Sequence, residues 1–219
     1  VGESATPVAV NVLTVGGSHL NAFAGIGGGY DANGVLNSNA VGLSLSDVNF
    51  GLALMTSQAD ATRKWTSLQA DAGSVSFVGL GSDLTISATG VNVAINQASK
   101  VNDTVVDYTK TTLDVNTGTG TSMALTLDGA KGELMQASGL LDINVYGFVS
   151  VRGNLAISKS STMATLADLA STTSVDESAT PVAVNASTVG GSRLNASAGI
   201  GGAYDANGVL NSNAVGLSL

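Results

Sequence analysis

Hydrophobic and polar positions alternate along this chain, and the alternation slips by one residue at regular places. Between Val41 and Arg152 a twelve-residue frame is written six times. In the first copy apolar residues stand at Val41, Leu43 and Leu45, the phase breaks at Ser46-Asp47, and alternation resumes at Val48, Phe50 and Leu52. The frame recurs from Thr66, Leu84, Thr104, Met123 and Leu141, with starts 25, 18, 20, 19 and 18 residues apart. A period of two is the strand period, because successive side chains point to opposite faces. Each copy is therefore two short strands, or one long strand with an extra residue at its middle. The phase break keeps both halves facing the same side.

Two architectures satisfy that pattern. In an elongated β-solenoid with coils of about 19 residues, the break is a corner and each coil stacks on the next. In an antiparallel β-meander, the copies are long bulged strands rolled around an apolar interior. Thr89-Gly90, Asp128-Gly129 and Tyr146-Gly147 suit hairpin turns, since Gly tolerates positive φ. Ser46-Asp47, Asp71-Ala72 and Thr109-Lys110 do not, so the all-β solenoid is the expected fold. It predicts interior ladders, one of them Leu43, Leu68, Ile86, Val106, Leu125 and Ile143, another Phe50, Val75, Val93 and Leu113. Ile86→Asp is then expected to cost several kcal/mol. Leu155 and Ile157 continue a strand, and Met163–Leu169 reads equally as a short helix or a weak strand.

Residues 1–45 recur as 175–219 with six differences: Gly2/Asp176, Val12/Ala186, Leu13/Ser187, His19/Arg193, Phe23/Ser197 and Gly29/Ala203. Residues 1–174 thus form one tandem repeat unit, and 175–219 begin the next. Near-identical adjacent copies serve length, multivalency or assembly. At nine coils per unit, a repeat would advance roughly 43 Å.

Composition narrows the function. Charged residues are 11% of the chain, the net charge is −8, and only eight residues are Lys or Arg. Nothing here neutralises a row of phosphates, so nucleic acid is not an expected partner. With no Cys, there is no disulfide, thiolate metal site or Cys nucleophile. No run of about 18 apolar residues reads as a membrane-spanning helix.

Candidate chemistry is sparse. His19 is the single His, and Arg193 stands in its place in the second copy, which removes triad and His-metal chemistry. No catalytic residue is expected, and the chain does not read as an enzyme. Gly25-Ile-Gly27-Gly28-Gly29 lacks the Lys-Ser/Thr ending of a phosphate loop and reads as close backbone packing. Asp31-Ala-Asn33-Gly34 recurs as Asp205-Ala-Asn207-Gly208. Hard oxygen ligands two residues apart beside Gly have the flavour of a calcium loop, so Asp31, Asn33, Asp205 and Asn207 are candidate ligands. An Asx turn accounts for the same residues. Trp65, after the longest interruption (Thr56–Lys64), either caps the interior or offers a platform for glycans.

The pieces Asp83-Leu-Thr-Ile-Ser-Ala-Thr-Gly-Val-Asn-Val-Ala-Ile-Asn96, Thr104-Val-Val-Asp-Tyr108 and Gly139-Leu-Leu-Asp-Ile-Asn-Val-Tyr-Gly-Phe-Val-Ser-Val151 resemble repeat domains of giant secreted bacterial surface and adhesin-like proteins. The Leu-x-Ala-x-x-Val-x-Val cadence is similar to filamentous-haemagglutinin-type solenoid coils, although a regular Asn ladder is missing. The resemblance covers most of the 174-residue unit. It implies an extracellular or cell-surface scaffold, stalk or matrix and transfers no catalytic residue. The expected function is a structural repeat protein whose partners are copies of itself. The alternative is an adhesin that contacts glycans.

Overall fold

The computed structural model describes residues 7–81, 83–100, 103–165, 181–200, 209 and 211–219. The described chain is all-β, with no α-helix. In chain order its strands are β1 (Val10–Ile26), β2 (Val41–Ser57), β3 (Lys64–Val78), β4 (Leu84–Ala98), β5 (Leu113–Gly118), β6 (Thr121–Leu125), β7 (Leu134–Val145), β8 (Val149–Ala164), β9 (Val182–Ile200) and β10 (Val215–Ser218). Eight of them form one sheet in the order β1-β2-β3-β4-β7-β8-β9-β10. The remaining two, β5 and β6, are a separate hairpin.

Every pairing is antiparallel, so the chain advances by hairpins and not by coils. This corrects the solenoid expectation in favour of the meander. The physical reason lies at the phase break. Asp47 adopts φ 53° inside β2, while Ser46↔Ser74 and Val48↔Ala72 pair on either side of it. A left-handed residue flips the side-chain phase without turning the strand through a corner. His19 (φ 51°), Gly90 (φ 57°) and Arg193 (φ 53°) do the same in β1, β4 and β9. A Cβ placed on Gly17 would meet both Leu20 and Phe50, so the residues flanking the break in β1 share one face. Of the three predicted hairpin turns only Tyr146-Gly147 is one; Asp128-Gly129 opens a 3-10 turn, and Thr89-Gly90 lies within β4. Tyr146 and Gly147 both have positive φ (53° and 62°), and Phe148 N–H donates to the Val145 carbonyl at 2.9 Å. Leu155 and Ile157 lie in β8, as does Met163; residues 166–169 lie outside the described residues.

The ladders re-sort accordingly. Leu43 sits opposite Phe77, which sits opposite Ile86, Ile143 and then Val151 across successive strands. Leu68 belongs to a second row with Leu52, Ile95 and Met135. Val106 and Leu125 are not in the sheet at all. They belong to the segment between β4 and β7, which folds back over the first strands.

That fold-back makes the core. Hairpin β5-β6 lies on the face of β1 and β2 that carries Gly16 and Gly51: Cβ atoms built there would meet Val115. Ala53, Met55, Trp65, Tyr108, Val115, Leu125 and Leu127 form the buried cluster, with Ala53, Val115 and Leu125 wholly enclosed. Each larger apolar side chain there contributes about 1.5–3 kcal/mol. The covered face is otherwise small or polar. Ser67 donates to Asn96 Oδ1 at 3.0 Å, and Asn96 Nδ2 donates to the Val106 carbonyl at 2.8 Å, which ties the fold-back to β4. At the other end of β2 the loop 27–40 covers the same face, where the Tyr30 hydroxyl bonds Ser44 Oγ at 2.6 Å and Ser46 Oγ at 3.1 Å. The opposite face holds the predicted apolar rows, and among the described residues no segment covers it. Phe77, Ile157 and Leu13 remain 48%, 54% and 60% exposed.

Candidate functional site

Trp65 is positioned by β3 and closes the end of the core. It is 5% exposed, and its indole Nε1 donates to the Thr104 carbonyl at 2.8 Å. The Arg63 guanidinium lies 4.9 Å from the ring centroid, a cation–π arrangement. Burial, that hydrogen bond and the Arg cover leave the ring no free face for a sugar. The geometry is that of a capping side chain.

The turn between β2 and β3 is a lattice of polar contacts. Asp60 Oδ1 accepts from the Thr62 N–H and hydroxyl, and Lys100 Nζ lies 2.6 Å from Asp60 Oδ2. Arg63 reaches Asp103 through two nitrogens at 2.5 Å each. This bidentate pair is the more sheltered one, with the Asp103 side chain 13% exposed. Arg63 and then the Thr104 N–H hold the Asp103 carboxyl below its usual range. A depressed folded-state value means the stabilisation is complete above the unfolded value, about 3.9, and is lost as pH falls through the folded one. Asp103→Asn is expected to lower stability at neutral pH and to flatten the acid limb below about pH 4. Urea melts of both forms at a series of pH values check this.

Asp31 forms an Asx turn. Its Oδ1 accepts from Asn33 N–H and Val35 N–H, both at 2.9 Å, and Gly34 follows at φ 74°. The Val35 bond and then the Asn33 bond lower the Asp31 pKa. Among the described residues no three His, Cys, Asp or Glu side chains gather into a metal-ligating group. Asp205 and Asn207 lie outside the described residues. His19 Nδ1 lies 2.7 Å from Asp47 Oδ1, where the left-handed residues of β1 and β2 meet, and both side chains are well exposed.

The features that distinguish this molecule are therefore surfaces. The first is the strand edge. Among the described residues β1 pairs only with β2, whereas its second copy, β9, pairs with β8 on one side and β10 on the other. The two copies share one geometry. Val41, Gly42, Leu43 and Ser44 face Ile26, Gly25, Ala24 and Phe23, and each pair reappears 174 residues later with Val215, Gly216, Leu217 and Ser218. Gly25 and Gly42 set that register. A Cβ on either would fall on the other strand's backbone, and the same holds for Gly199 and Gly216. The second feature is a groove of about 700 Å³ across β4, β7, β8 and β9, bordered by Asn92, Ser138, Ala156 and Gly190. Sequence reasoning missed the groove; Gly190, as the second copy of Gly16, was its one signal. No helix among the described residues is long and apolar enough to cross a membrane. A scan against protein-family models found no match, and searches of curated proteins and of solved structures returned none.

Proposed function

We propose that this chain is a structural repeat of an extracellular or cell-surface protein, which builds a stalk, fibre or matrix by adding strands to one continuing sheet. One observation carries this reading: the second repeat begins on the last strand of the first, and its opening strands take the same register as β1 and β2. The sheet therefore crosses the repeat boundary without a break. Each unit donates six strands (β1–β4, β7 and β8) and carries its own hairpin. The partner of each unit is another copy of itself. The extracellular placement draws on composition and on the resemblance described above.

Six strands at about 4.8 Å spacing advance the sheet by about 29 Å per repeat. That is shorter than the solenoid figure because the unit supplies only six layers: the 35 residues between β4 and β7 and the loop 27–40 add none to the sheet. Chains of one, two and four repeats imaged by electron microscopy are expected to lengthen by that step. Compact particles whose long axis does not grow with repeat number would refute the scaffold.

A further inference from the structure

We infer that the outer edge of β1, together with the tip of hairpin β5-β6, is a docking surface for the β8 strand of a second copy of the 174-residue repeat unit, in which β8 is the last described strand. The inference deepens the scaffold reading and rests on it. The template is internal. β9 is the repeat copy of β1, and it runs against β8 from Val149↔Ala198 to Ala164↔Val182. Moved back by 174 residues, the same register sets Val149 against Ala24, Ile157 against Val15 and Thr162 against Val10. Within the described residues that edge of β1 carries no strand.

The hairpin supplies a second contact. It crosses the strands stepwise. Thr126 N–H donates to Gln69 Oε1 on β3, Leu125 lies against Gly51 on β2, and Ser18 Oγ on β1 donates to the Thr117 carbonyl at 3.4 Å. Asn116 lies over Gly16 of the same strand. Residues 118–120, which follow the Thr117 contact with β1, are exposed; continued on the same course they would pass beyond β1, the last strand of the described sheet. A β8 strand seated on β1 would lie beneath them, with Ala156 opposite Gly16, as Ala156 lies opposite Gly190 in this chain. That position is where the groove beside β9 stands open. Gly190 has nothing within 4 Å of its Cβ direction, whereas a Cβ on Gly16 would lie 2.5 Å from the Asn116 carbonyl oxygen. The groove is thus the seat that a hairpin tip occupies when the neighbouring unit is present. Its small lining (Asn92, Ser138, Ala156 and Gly190) leaves room for the Gly118-Thr119-Gly120 tip.

The chain has no Cys, so disulfide trapping reads the register cleanly. The probe is a synthetic peptide of residues 149–164, offered to the full chain carrying Val15→Cys. Directly opposed residues on one face sit within disulfide reach. The peptide with Ile157→Cys is expected to be trapped at least tenfold faster than the Leu155→Cys, Ser158→Cys or Lys159→Cys peptides. Hydrogen exchange at Gly118–Gly120 is expected to slow when the Ile157→Cys peptide is attached. Register-blind trapping would overturn the edge assignment, and in-register trapping with unchanged tip exchange would overturn the clamp. Multi-repeat chains that still lengthen by the expected step after either failure keep the scaffold reading and sink only this pairing.

Discussion

Leu125→Asp is expected to cost about 4 kcal/mol or more, while Ile86→Asp costs about 1 kcal/mol. Both positions belong to the same alternating frame, and the sequence alone ranks them equally. Leu125 is 0% exposed between the hairpin and β2, in the cluster with Val115, Met55 and Trp65. A carboxylate there loses its water and gains no partner. Ile86 is half-buried on the uncovered face, between Phe77 and Ile143, where a carboxylate still reaches solvent. Urea melts of the two variants decide the matter. Equal losses would mean that the apolar rows are enclosed as deeply as the hairpin.

Gly16→Leu is expected to destabilise the protein by about 1–3 kcal/mol through overpacking, and Gly190→Leu to be nearly silent. These are the same residue in two copies of one sequence, so local propensity cancels from the comparison. Neither needs positive φ, so backbone strain does not enter. At Gly16 a Cβ would meet Asn116 O at 2.5 Å and Val115 Cγ1 at 2.8 Å, which lifts the hairpin off the sheet. At Gly190 nothing stands in the way. Thermal melts give the sizes, and hydrogen exchange shows whether the Gly16 variant frees β5 and β6 in particular. Matching effects at the two sites would refute the hairpin's placement.

Much of the architecture could be read from residue order alone. The alternation declared strands, the phase slip declared a kept face, and Tyr146-Gly147 declared a hairpin. Trp65 as a cap and Asp31 as an Asx turn were both legible, because each rests on local chemistry. What could not be read was strand direction and which face is covered. A period of two reports that a strand has two unlike faces; it carries no information on what lies against either. Sequence reasoning took the Leu/Ile/Val rows for the interior. The structure lays the hairpin on the other face, through Gly16, Gly51, Ala53, Ser67 and Asn96, because a second layer can approach closely only over small side chains. The segments around Val106 and Leu125 show the same alternation as the sheet strands, so nothing in their pattern marked them as a lid. The groove was hard to read for a related reason: no motif marks it, and Gly190, the second copy of Gly16, is only one residue of its border.

In the proposed scaffold the strands would run across the direction in which repeats accumulate, with their backbone hydrogen bonds along it. Tension along a row of units therefore pulls on those bonds end-on, one ladder rung after another, instead of shearing a whole strand at once. A strand such as β3 that peels away releases its 15 residues, about 50 Å of extended chain, and leaves β2 paired with β1 and β4 with β7. A tether made of such units would yield in steps and take up slack before it parts.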